Sequence, residues 1–251
     1  MGLFMLETCA APMHSTRLLV SVRSVAEAQI ALACAVDLID IKEPRQGSLG
    51  ACDEATIAAI VEEVAGRRPL SVALGELIEY DPARRNALTG VQFAKFGLAG
   101  MSKVGDWRSR LLDALGGLSP DVAPVAVVYA DYDRAQAPAP QAVIEMALES
   151  DCGALLVDTF CKDGSNVLDH CTLGELRDWS QQARRAGMLF VVGGSVQARL
   201  FPGLSECEPD FIAVRGAVCK NSRASEIDAE RIVELQRQLR RSIALERARD
   251  E

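Results

Sequence analysis

The chain has 251 residues, is 49% hydrophobic and carries a formal net charge of −8, which leaves room for a sizeable core and excludes a general binder of nucleic acid or anionic membrane, since either needs a basic face. No apolar run approaches the length of a membrane span, and the first residues lack a basic segment followed by a hydrophobic core, so the expectation is a cytoplasmic protein without an export signal. The eight cysteines are scattered without a Cys-x-x-Cys pair and only His14 and His170 accompany them, which argues against zinc and for reduced, buried thiols.

Residues 1–16 read as a flexible amino-terminal extension ahead of one catalytic domain over 17–251, because no linker-like stretch interrupts the remainder. Arg17–Val22 predicts a first strand, followed by a Ser24 cap and a helix from Val25 to Ala35. Asp37–Lys42 predicts a second strand, stopped by Pro44. Asp53 and Glu54 open a helix through Ile57, Ile60 and Val64 to Gly66, Pro69–Leu74 is a third strand, and Pro82 starts the next helix. Val91–Gly97 is the fourth strand, Trp107 to Leu115 a helix, Val122–Tyr129 the fifth strand and Gln141–Glu149 a helix. Ala154–Asp158, Met188–Val192 and Phe211–Arg215 are strands six to eight, with a helix over Leu173–Ala186 and a long charged helix from Ile227 onward.

Eight strand–helix units at this length predict a single-domain (β/α)₈ barrel. Alternation alone also suits a doubly wound sheet, but no dinucleotide glycine fingerprint accompanies it.

Only five of the 27 basic residues are lysine. Arginine supplies surface charge equally well but is not deprotonated in proteins, so imine chemistry needs lysine. Lys42, Lys95 and Lys162 fall at or just past the ends of strands two, four and six. Inward side chains of a barrel come in layers from alternate strands, so these three converge on one mouth, with Asp40 and Asp158 beside them. Crowded ammonium groups shielded from water depress one another's pKa, which makes an amine nucleophilic near neutrality, and the acids orient it and move protons. The plainer reading is a set of salt bridges at the barrel mouth. Lys103 and Lys220 read as surface charges.

Gly193-Gly194-Ser195 after strand seven and Arg215-Gly216-Ala217 after strand eight occupy the places where barrels hold phosphate through backbone N–H groups. Arg215 adds a charge-assisted contact in this reading. The Gly47–Gly50 loop either cradles a second phosphate or turns the chain.

Taken in order, Leu19-Val20-Ser21-Val22, Asp40-Ile41-Lys42 with Gly47-Ser48-Leu49-Gly50-Ala51, Lys95-Phe96-Gly97-Leu98, Asp158-Thr159 with Lys162-Asp163-Gly164, Gly194-Ser195, and Val214-Arg215-Gly216-Ala217 with Cys219-Lys220 resemble the (5-formylfuran-3-yl)methyl phosphate synthases. Those enzymes serve methanofuran and methylofuran biosynthesis, and the resemblance runs from about Arg17 to the final helix. It implies a TIM barrel that condenses two molecules of glyceraldehyde 3-phosphate, a small phosphorylated aldehyde, with loss of phosphate and water. It further implies Lys42 as the Schiff-base lysine, Lys95 as proton acceptor, and Asp40, Asp158 and Lys162 in supporting roles, with no metal and no cofactor. The chain departs from the family in its amino-terminal stretch and at Asn221-Ser222-Arg223, where the family is richer in glycine. Two other functions fit the residues: a class I aldolase acting on a sugar phosphate, and a non-catalytic barrel that binds a phosphometabolite. Assembly as a homo-oligomer stays open.

Overall fold

The computed structural model of the chain describes residues 16–80 and 88–250. Eight parallel strands close in chain order: β1 (Arg17–Val22), β2 (Leu38–Ile41), β3 (Leu70–Glu76), β4 (Phe93–Gly97), β5 (Ala123–Tyr129), β6 (Ala154–Asp158), β7 (Leu189–Val192) and β8 (Phe211–Val214), with β1 pairing both β2 and β8. Strands covered on both faces carry continuous apolar runs, and every residue of β6 and all of β1 after Arg17 is buried. Each fully buried Leu, Ile or Val contributes about 1.5–3 kcal/mol.

The helices are α1 (Val25–Ala33), α2 (Glu54–Val64), α3 (Trp107–Gly116), α4 (Tyr132–Ala135), α5 (Pro140–Leu148), α6 (Leu173–Arg185), α7 (Phe201–Ser205) and α8 (Ala229–Asp250). Ser24 caps α1 by accepting from Glu27 N–H, Asp53 caps α2 from Thr56 N–H, and Thr172 with Glu175 forms a reciprocal capping box on α6. The last helix starts at Ala229 rather than Ile227, because Ile227 is held in an antiparallel bridge with Cys219. The short α4 and α7 have too few turns to leave a periodic signal in the sequence. Pro82 and the extension up to Ser15 lie outside the described residues.

Register places the polar inward residues. Asp40 on β2 lies opposite Ser21 on β1 and Ser71 on β3, Lys95 lies opposite Ala73, and Tyr129 opposite Asp158. Between β3 and β4 the register slips by one residue at Gly75, whose φ is +87°, so that Glu76 rather than Gly75 faces Gly97. Beneath Lys95 the barrel floor is apolar, lined by Leu19, Phe93, Val125, Leu156, Val191 and Phe211. Lys95 and the aspartates lie above this floor, toward the carboxyl ends of the strands, while at the opposite end the Arg17 guanidinium stacks over Phe211 at 4.1 Å.

Candidate active site

Lys42 lies one residue past β2, yet its N–H still donates to Val22 O at 3.0 Å, so the strand ladder fixes its Cα. Strand alternation then aims Asp40 and Lys42 the same way. Lys95, 3% exposed, donates from Nζ to Asp40 Oδ1 and, at 2.7 Å, to Ser71 Oγ. Asp40 Oδ2 accepts from Ser21 Oγ at 3.0 Å and stands 4.0 Å from Lys42 Nζ. On the β6 side, Lys162 Nζ donates to Asp158 Oδ1 at 2.8 Å and to Thr159 Oγ1 at 3.0 Å. Asp158 also accepts from Thr159 N–H at 2.7 Å, and Ser48 reaches over from the β2 exit loop, 3.3 Å from Asp158 Oδ2 and 2.8 Å from Thr159 O. The structure thus brings Lys42, Lys95, Lys162, Asp40 and Asp158 into one electrostatically connected cluster.

The charges in this cluster set one another's protonation. Burial pushes the Lys42 ammonium down to about 8; Asp158 and Asp40 pull it back, and Lys162 and Lys95 push it further down. Burial alone would raise Asp158, but Lys162, Lys42 and the Thr159 N–H overcome it and hold the carboxyl at about 2. Asp40 is likewise kept below the ordinary range, because Lys95 and Lys42 outweigh its desolvation. At neutral pH the arrangement therefore contains two ionised acceptors around an amine that exchanges its proton easily. Such an amine can capture a carbonyl carbon while the neighbouring groups relay protons.

The glycines after β7 have a packing reason. A Cβ on Gly193 would lie 3.4 Å from Asp158 Cγ, and one on Gly194, whose φ is +86°, would lie 3.0 Å from Val167 Cβ and 3.2 Å from Thr159 N. Gly193 N–H is spent on Val157 O at 2.7 Å. Ser195 also has positive φ, +54°, and the N–H groups of Gly194 and Ser195 have no protein partner among the described residues. Gly216 and Ala217 begin a single 3₁₀ turn through Val218.

Arg215, expected at a phosphate, spends its donors on the protein in this structure. It is buried, and all five of its N–H groups are committed: Nε to Arg223 O (2.7 Å), Nη1 to Ser21 O and Glu27 Oε2 (both 2.9 Å), and Nη2 to Glu27 Oε1 (3.2 Å) and Ser225 O (3.1 Å). The partner that claims it, Glu27, sits in the first turn of α1, far away in sequence. The Gly47–Gly50 loop is at least a tight turn, since Gly50 O accepts from Glu43 N–H at 2.9 Å and a Cβ on Gly50 would overlap Glu43 O.

Several residues outside the predicted site set also bear on the cluster. Ser21 and Ser71 stand out only as polar residues at inward positions of apolar strands. Glu76 Oε1 accepts from Tyr129 Oη at 2.6 Å and Oε2 from Ala99 N–H at 2.8 Å, its carboxylate filling the space left by Gly97. Burial raises the Glu76 carboxyl, and burial together with that carboxylate raises the Tyr129 hydroxyl. Asp131 accepts from Phe160 N–H at 2.6 Å and Cys161 N–H at 2.8 Å, which shapes the loop that presents Lys162. Among the described residues no His, Cys, Asp and Glu group is placed to hold a metal, and no helix is long and apolar enough to cross a membrane.

A closed parallel ring with buried lysines and aspartates gathered at the carboxyl-terminal mouth is the design of a (β/α)₈-barrel enzyme. The family model described as 4-HFC-P synthase matches residues 18–236, and the chain belongs to that family. It is 30% identical over 228 residues to a (5-formylfuran-3-yl)methyl phosphate synthase of Methanosarcina acetivorans, covering 87% of this chain and 97% of that protein. The corresponding synthase of Methanocaldococcus jannaschii is 31% identical over 229 residues, with the same two coverages. Among solved structures, phosphoribosyl anthranilate isomerase from Thermus thermophilus superposes with a TM-score of 0.59 at 12% identity, over 90% of this chain and 99% of that one. 3-Hexulose-6-phosphate synthase from Salmonella typhimurium superposes with a TM-score of 0.57 at 16% identity, over 89% of this chain and 100% of that one. These two likenesses concern the fold.

Proposed function

We propose that the protein condenses two molecules of glyceraldehyde 3-phosphate into (5-formylfuran-3-yl)methyl phosphate through a Schiff base at Lys42. The observation that carries this is the cluster itself: a buried amine with its pKa lowered to about 8, flanked by two further lysines and two ionised aspartates. The names of the relatives supply the product, and the chemistry of the residues supplies a route to it.

Neutral Lys42 attacks the aldehyde carbon, and loss of water gives an imine that withdraws electrons from the adjacent carbon. Lys95, between Asp40 and Ser71, passes its ammonium proton to the Asp40 carboxylate and with the freed lone pair accepts the proton from that carbon, and the resulting enamine expels phosphate from the next one. Asp158 and Lys162 exchange protons with hydroxyl groups as the second aldehyde adds and water leaves. Over both substrates the balance is one phosphate and two waters lost, with no net oxidation, so aromatisation needs no redox partner. The N–H groups of Gly194, Ser195, Gly216 and Ala217 hold a substrate phosphate at the β7–β8 side of the mouth. Residues 17–251 act in this reading as one catalytic unit, with 1–16 as an appendage.

The test is incubation with glyceraldehyde 3-phosphate alone. A new ultraviolet-absorbing furan with equimolar phosphate release supports the reading, and borohydride with substrate should leave a mass increment on the peptide containing Lys42. An aldolase gives an adduct without furan or phosphate; a non-catalytic binder gives no adduct.

A further inference from the structure

Arg223 stands on the loop after β8, and its guanidinium reaches past the end of β1 to the loop after β2. There Nη1 meets Pro44 O at 3.3 Å and Nη2 meets Gly47 O at 3.2 Å, both at the long end for a hydrogen bond. Its other three N–H groups have no protein partner among the described residues, and it makes no ion pair there. The side chain is half-buried. Desolvation pulls its pKa down while the charge of Asp158 pulls it back, which places it within electrostatic reach of the cluster.

The contrast with Arg215 is instructive. Arg215 has every donor satisfied, and two of its bonds go to Arg223 O and Ser225 O, so the buried Arg215–Glu27 pair already ties down the backbone of this loop. A second strap is not needed. What the loop gains from Arg223 is a partly desolvated cation without a carboxylate in contact, whereas Lys95 and Lys162 each touch one. An unmatched, half-buried guanidinium is costly to keep unless an anion visits it. Its planar fork fits two oxygens of a phosphate, and charge-assisted bonds of about 2.7–2.9 Å would readily displace the two long carbonyl contacts.

We infer that Arg223 grips the phosphomonoester of the imine-forming aldehyde, forming a second anion subsite between the exit loops of β2 and β8, while the N–H groups after β7 and β8 hold the phosphate of the other aldehyde. This rests on the reading above that the substrate is a phosphorylated aldehyde that forms an imine.

The experiment is borohydride trapping with glyceraldehyde 3-phosphate and with unphosphorylated glyceraldehyde, each titrated against the wild type, Arg223→Gln and Arg223→Lys. Thermal melting of each variant gives a check on folding. For Arg223→Gln the half-saturating concentration of the phosphorylated aldehyde is expected to rise about 10- to 100-fold, corresponding to one or two charge-assisted bonds, while that of glyceraldehyde moves less than about twofold. Arg223→Lys, which keeps the charge and loses the fork, should fall in between. An equal rise for both aldehydes would make Arg223 a strap and overturn the inference, as would no change for either. Should the wild type form no adduct with either aldehyde, the Schiff-base reading fails. Calorimetric titration with inorganic phosphate then decides the subsite separately: weaker binding in Arg223→Gln supports it, and equal binding in both proteins rejects it.

Discussion

Lys42 Nζ stands 4.0 Å from Asp40 Oδ2, close enough to feel that charge and too far to share a hydrogen bond. Lys95 and Lys162, by contrast, each donate directly to an aspartate. The distinction assigns the labile proton to Lys42, since neither aspartate holds it by a hydrogen bond. The first prediction is a pH profile. With the Lys42 pKa at about 8, about a tenth of the amine is neutral at pH 7 and half at pH 8. A lowered lysine pKa puts the rising limb below the ordinary lysine range, so trapping rates at limiting substrate should rise about fivefold between those two pH values. A limb near 10.5 would remove Lys42 from this role. Lys42→Arg should give no adduct at any pH, because a guanidinium forms no imine.

Lys162 depresses Lys42 by repulsion and neutralises Asp158, which pulls the other way. Removing it acts in one direction twice. Lys162→Met takes away a repelling cation and exposes Lys42 to the full charge of Asp158, so the rising limb should move to higher pH, with trapping at pH 7 reduced about tenfold for each unit of displacement. A loss of rate with an unmoved limb would mean that Lys162 works only on later steps.

Lys95→Ala should separate capture from turnover. Lys42 and its route to the aldehyde remain, so the borohydride adduct should still form, while furan production falls by at least two orders of magnitude for want of a positioned base. Asp40 would lose its shortest partner and keep only Ser21 and the distant Lys42, a buried anion left under-compensated. Stability should therefore drop by a few kcal/mol, measurable by urea unfolding. Normal turnover would exclude Lys95 from the proton transfers.

How much of this was legible beforehand depends on range. The strands and most helices follow from local apolar periodicity and capping residues such as Ser24, Asp53 and Thr172, which the chain writes in consecutive letters. The convergence of Lys42, Lys95 and Lys162 follows from one further rule, the inward layering of a barrel. The pairing of Arg215 was not legible because it depends on Glu27, a residue 188 positions away. Glu76 was missed for a subtler reason: a one-residue register slip at Gly75 turns it inward, and no local pattern announces a bulge of that kind.

That slip makes its own prediction. Gly97 has no room for a Cβ because the Glu76 carboxylate occupies the space. Gly97→Ala should cost about 1–3 kcal/mol by overpacking, a fall of several degrees in Tm. Glu76→Ala empties the same space, at the expense of the bonds to Tyr129 and Ala99. The double variant should therefore be no less stable than Glu76→Ala alone, a coupling of at least about 1 kcal/mol. Additive losses would place the two side chains apart.

Arg215 is the residue on which the sequence and the structure give opposite experimental outcomes. As a phosphate ligand it would, on substitution, raise KM and leave the fold intact. As observed, it is one half of a buried ion pair with Glu27, 2.9 Å away, and the tie that holds the carbonyls of Arg223 and Ser225. Removing one member of such a pair leaves the other buried and unpaired, at a cost of about 3–5 kcal/mol. Arg215→Gln and Glu27→Gln should thus destabilise to a similar degree, and the double variant by much less than their sum, because neither charge is then stranded. Chemical denaturation of the four proteins measures this directly. Equal stability across all four, with KM raised only in Arg215→Gln, would return Arg215 to the phosphate.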